Sequence, residues 1–136
     1  KQHRPVYYEL LGRVRTEGDW EAWVDFFLEG VEQTAQGAVQ TAQRLVALFQ
    51  QDSARIRATG RGAANAQRVL HALRSHPVAT LKLLCTETGM SFPTAGKVMQ
   101  SLMELGIARE LTGQRRNRVF VYDSYLSILN EGGEVP

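Results

Sequence analysis

The chain has 136 residues, of which 43% are hydrophobic and 22% charged. That composition lies in the globular range and allows one core, or two small ones side by side, so disorder is excluded as the default state. No run approaches the roughly 20 apolar residues that cross a bilayer, and no basic, apolar and small-residue leader opens the chain, so the sequence reads as cytoplasmic.

Charge is uneven beneath the net +2: residues 1–62 carry eight Lys and Arg against eight Asp and Glu, whereas residues 63–130 carry eight against four. The second part can therefore meet an anionic partner, although this excess is modest for a DNA-binding domain. The single cysteine, Cys85, cannot form an internal disulfide and falls in the apolar run Leu81, Leu83, Leu84, where a buried, inert thiol is expected. The first residue is Lys1 rather than Met, which we read as a sign that a segment precedes it.

In chain order, Pro5 suits a first helical turn, and Val6, Tyr7, Leu10, Leu11 and Val14 recur at helical spacing until Thr16-Glu17-Gly18 interrupts them. Asp19 then offers an N-cap to a long helix, or a broken pair, whose apolar face runs from Trp20 through Phe27, Val31 and Ala38 to Leu48 and Phe49. Gly30 and Gly37 each weaken it by about 1 kcal/mol relative to Ala, so an irregularity is expected there. Trp20, Trp23, Phe26 and Phe27 are denser than a surface helix needs and read as an interface, with another copy of the chain or with another domain.

The segment Ala58-Thr59-Gly60-Arg61-Gly62 reads as a linker between a helical part, 1–60, and a second module, 63–130. There, Ala66, Val69, Leu70 and Leu73 mark a helix that stops before His76-Pro77. A second helix is expected over Ala79 to Thr88, ended by Gly89, and a third begins after Ser91 with Ala95, Val98, Met99, Leu102 and Leu105 inward. Two short strand-like runs, 107–111 and 119–122, flank Thr112-Gly113-Gln114-Arg115-Arg116-Asn117-Arg118 as a hairpin with a basic tip. Tyr125, Leu126, Ile128 and Leu129 give a last helix before a flexible tail, 131–136.

The fold class that follows is mainly α with a small β-hairpin: an N-terminal helical segment, then a winged helix-turn-helix module. In such a module the third helix can enter the major groove while the wing touches phosphates. The outward residues of that helix, Ser91, Thr94, Lys97, Gln100 and Ser101, can all hydrogen-bond, and Arg115, Arg116 and Arg118 lie on the wing. The alternatives are a merely solvated helix face, and a partner protein whose carboxylates the arginines would answer with the same planar fork.

His3, His71, His76 and Cys85 show no zinc-ligand spacing, and His71 reads as a partly buried imidazole without a role. No phosphate-cradling glycine motif is present, and no acid-base or nucleophile set can be assembled, so the chain itself is expected not to be an enzyme.

Tyr7-Tyr8-Glu9-Leu10-Leu11, Val14-Arg15, Gly18-Asp19-Trp20-Glu21-Ala22-Trp23, Phe26-Phe27-Leu28-Glu29-Gly30-Val31 and Thr34-Ala35 together resemble the segment that follows the active-site motif in Fic-family proteins. The Thr112-Gly113 and Arg116-Asn117-Arg118 wing and Tyr125-Leu126 are similar to the winged-helix module that often follows in that family. The resemblance implies the non-catalytic C-terminal regulatory region of a protein AMP-transferase, its upstream catalytic domain using ATP and magnesium through an HPFxDGNGR loop that this chain lacks. Ser127, Glu131 and Gly132 fit the spacing of the family's inhibitory helix, although a helix end with an acidic tail explains them equally. Two further readings are a free-standing winged-helix regulator, dimeric through its N-terminal helices, and a docking or dimerisation module that binds no DNA.

Overall fold

The computed structural model describes residues 3–133. Its elements are α1 (Arg4–Glu17), α2 (Trp20–Ala58), α3 (Ala63–Ser75), β1 (Val78–Thr80), α4 (Leu81–Thr88), α5 (Phe92–Glu104), β2 (Arg109–Glu110), β3 (Val119–Val121) and α6 (Asp123–Gly133). They divide into two compact units: the chain through Gln43 with the chain from Glu131 onward, and Arg44–Asn130. The division falls inside α2, while residues 59–62 form the turn between α2 and α3.

In the first unit α1 closes on Gly18, which takes the left-handed conformation (φ 68°) that glycine adopts without a Cβ penalty. Asp19 caps α2 by accepting from the Ala22 N–H at 3.3 Å, and also accepts from Arg13. From there α2 runs unbroken for 39 residues, with no break at Gly30 or Gly37. A cost of about 1 kcal/mol per glycine is spread over a helix of 39 residues, in which each further residue adds a backbone hydrogen bond. None of the described residues of this unit is fully buried.

The second unit has its own core. Ile56, Val69, Leu73, Leu84, Met99, Leu102, Phe120 and Tyr122 are its largest fully buried side chains, drawn from α2, α3, α4, α5 and the β3 region. The expected helix over Ala79 to Thr88 is shorter, because Val78, Ala79 and Thr80 form β1, a strand not anticipated from the sequence. It pairs antiparallel with β3 (Ala79 opposite Phe120), and β3 pairs with β2 (Glu110 opposite Phe120), giving a three-stranded sheet of order β1-β3-β2. Three α-helices, this small sheet and the loop between β2 and β3 make a winged helix.

Two side chains differ from expectation. His71 is exposed on α3 rather than partly buried, and Cys85 is half-buried rather than enclosed. Residues 1–2 and 134–136, with the start of the chain and the end of the expected tail, lie outside the described residues, and α6 itself runs to Gly133. Among the described residues no helix is long and apolar enough to cross a membrane.

Candidate nucleic-acid interface

The helix-turn-helix is α4 and α5, each started by a hydroxyl. The Thr80 side chain accepts from the Leu83 N–H at 3.2 Å, and the Ser91 Oγ accepts from the Thr94 N–H at 3.4 Å while sharing a 2.9 Å bond with the Thr94 hydroxyl. These bonds satisfy backbone donors that a helix start otherwise leaves open. Gly89, left-handed at φ 67°, ends α4 and turns the chain toward α5.

On α5, Ala95, Val98, Met99 and Leu102 are buried against the core, which turns Lys97, Gln100 and Ser101 outward with Ser91; Thr94 is half-buried. The Gln100 amide donates to Glu104 at 3.2 Å. Phe92, the first residue of α5, is 56% exposed, an apolar tip that a search for hydrogen-bonding residues overlooks.

The wing is tied at its base and open at its tip. Glu110 accepts from the Thr112 hydroxyl and from the backbone N–H groups of Thr112 and Gly113, both at 2.9 Å. Those bonds, the hydroxyl first, hold its carboxyl below the usual range. Arg109 grips Asp123 with two bonds of 2.6 and 3.0 Å, holding the Asp123 carboxyl low in turn. Gly113 and Asn117 take positive φ (62° and 53°) to turn the loop. Arg118 lies 5.0 Å over the Phe120 ring, whereas Arg115 and Arg116 are exposed and make no ion pair or hydrogen bond among the described residues.

Thr94, Lys97 and Ser101 share one flank of α5 and line a cleft of about 450 Å³. Its other wall is the α2–α3 turn and the start of α3, with Thr59, Arg61 and Asn65. Arg61 and Asn65 were not among the expected site residues, since Gly60-Arg61-Gly62 reads from sequence as a linker and only packing brings it beside α5. Among the described residues no group of three or more His, Cys, Asp or Glu is placed to hold a metal ion.

The aromatic residues expected at an interface lie in the first unit. Trp23 stacks on Phe27 at 5.5 Å, Trp20 meets the edge of Trp23 at 6.4 Å, and His3 meets the edge of Phe26 at 6.2 Å. Trp20 and Phe27 stay 62% and 54% exposed, beside an apolar groove of about 630 Å³ lined by Phe26, Gly30, Val31 and Ala35 among others.

No protein-family model matches the chain. Among solved structures it is similar to a MarR family transcriptional regulator from Silicibacter pomeroyi DSS, with 16% identity over 91% of this chain and 84% of that one and a TM-score of 0.41. Neither comparison points to the Fic family, and the resemblance is corrected accordingly. Many of the residues that carried it are apolar and aromatic positions of α1 and α2, of the kind amphipathic helices repeat at this spacing. With it go the upstream catalytic domain, the ATP and magnesium, and the inhibitory reading of Ser127, Glu131 and Gly132. Gly132 instead lies so close to Thr41 that a Cβ there would meet that side chain.

Proposed function

We propose that this chain is a winged-helix regulator that binds duplex DNA and acts as a dimer. Residues 63–130 are the binding module: α5 enters the major groove, where Ser91 and Gln100 face base edges, and Arg115, Arg116 and Arg118 reach the phosphates. Trp20, Trp23, Phe26 and Phe27 belong to the surface that joins two copies.

The observation that carries this reading is the wing. Its base is fixed by the Glu110 and Arg109–Asp123 contacts, yet Arg115 and Arg116 at its tip have no partner within the described residues. Two arginines held out on an anchored loop beside a capped helix with a polar face match the backbone-positioning part of a DNA interface.

The test is binding of the chain to random-sequence duplex across a salt series, beside a variant carrying Arg115→Ala, Arg116→Ala and Arg118→Ala. We expect affinity to fall with salt, and the variant's log–log slope to be shallower by about 0.9 for each phosphate that it no longer neutralises. Absence of binding even at low salt would overturn the DNA reading and leave a protein-docking module.

A further inference from the structure

We propose that the cleft between the α2–α3 turn and α5 is a second phosphodiester site, in which Arg61 with Lys97 holds the DNA backbone along one wall of the groove. The proposal rests on the reading of α5 as the helix that enters the major groove.

The physical reason is a matter of fit. An α-helix with its side chains is about 10–12 Å across and the major groove is about 12 Å wide. A helix seated there fills the groove, so whatever flanks the helix must face the sugar-phosphate wall. The cleft flanks α5 in this way, because Thr94, Lys97 and Ser101, spaced three and four residues apart on one side of the helix, form its near wall.

The polar groups of the cleft suit a phosphate. Arg61 contributes a fork of N–H donors, Lys97 an ammonium, Asn65 an amide and Ser101 a hydroxyl, the groups that most often meet phosphate oxygens. Arg61 and Lys97 make no ion pair or hydrogen bond among the described residues, so neither charge is already spoken for. One carboxyl, Glu104, also lines the cleft, and its Oε1 accepts from Gln100 at 3.2 Å. Two cations against one carboxyl leave the lining net positive.

Arg61 is the informative residue, since it lies outside both the helix-turn-helix and the wing. It sits exposed between Gly60 and Gly62, both of positive φ (72° and 85°), and makes no ion pair or hydrogen bond among the described residues that its removal would break. Arg61→Ala should therefore leave the melting temperature unchanged.

The experiment measures duplex binding across a salt series for the wild-type chain, the triple wing variant, Arg61→Ala and Arg61→Lys. The expected result is a slope shallower by about 0.9 in Arg61→Ala, with affinity several-fold weaker at low salt, and a slope restored in Arg61→Lys, which keeps the charge. If the wing variant loses slope while Arg61→Ala matches wild type, this second site is overturned and the wing reading stands. If the wild-type chain binds no duplex, both fail together. A free-phosphate site would instead show as inorganic phosphate raising the melting temperature of wild type but not of Arg61→Ala, with the DNA slope unchanged, and that outcome also overturns the backbone contact.

Discussion

Asp52 and Tyr122 form a buried polar contact in the second unit. The Tyr122 hydroxyl is buried and donates to Asp52 Oδ2 at 2.6 Å, while Asp52 Oδ1 accepts from Arg55 at 3.1 Å. The ring lies in a cluster with Phe49 and Tyr125, and Arg74 sits 4.2 Å over Phe49. Removing one partner leaves a buried polar group unsatisfied, so Tyr122→Phe should lower unfolding free energy by about 2 kcal/mol in urea melts with the slope unchanged. A loss below about 0.5 kcal/mol would show that the bond contributes nothing net. Burial first, then the bond to Asp52, push the phenol's pKa upward. Its contribution is thus fully present below the ordinary phenol value of about 10 and is lost as pH rises beyond it, so the alkaline fall in stability should be shallower in Tyr122→Phe. None of this is legible in the sequence. Asp52 sits among Gln50, Gln51 and Ser53 like any solvated residue, and its partner is 70 positions away.

Elements were legible in proportion to their length. The stripes on α3 and α5 span more than two turns each, and Ser91, which caps α5, and Gly89, which ends α4, are residue types with strong positional preferences. A three-residue strand offers no such repeat. β1 exists because Val78, Ala79 and Thr80 find β3, a pairing made by tertiary structure rather than by local preference. Thr80 serves two elements, as the last residue of β1 and the cap of α4. Thr80→Ala should cost about 1 kcal/mol and lower the melting temperature by about 4–8 °C, with Thr80→Ser retaining most of the stability. Equal losses in both variants would instead assign the role to the threonine methyl. The candidate site divides in the same way: α5 and the wing arginines were found from local pattern, while Arg61 and Asn65 needed the packing of α3 against α5.

At the scale of the whole molecule, the described residues of the first unit enclose no core of their own. Trp20, Val24, Phe27 and Val31 follow one another at spacings of four, three and four along α2, and all remain largely exposed. That is the repeat by which helices seam together, and it has no cover within the described chain. A second copy is the occupant proposed here, so light scattering should give twice the chain mass, falling to the single-chain mass when Trp20→Glu and Phe27→Glu are combined. Retained helicity in that variant keeps the result from being mere unfolding, and a single-chain mass for the wild type would overturn the dimer.

The open wing also governs how the chain can be cut. Arg115, Arg116 and Arg118 present an arginine-directed protease with three sites on one exposed loop, and a bound duplex would shield them. A nick there would not release the halves, because β3 remains hydrogen-bonded between β1 and β2 and Tyr122 stays anchored on Asp52. The wing is thus a place where the covalent chain could be opened while the contacts on either side of it still join the two pieces.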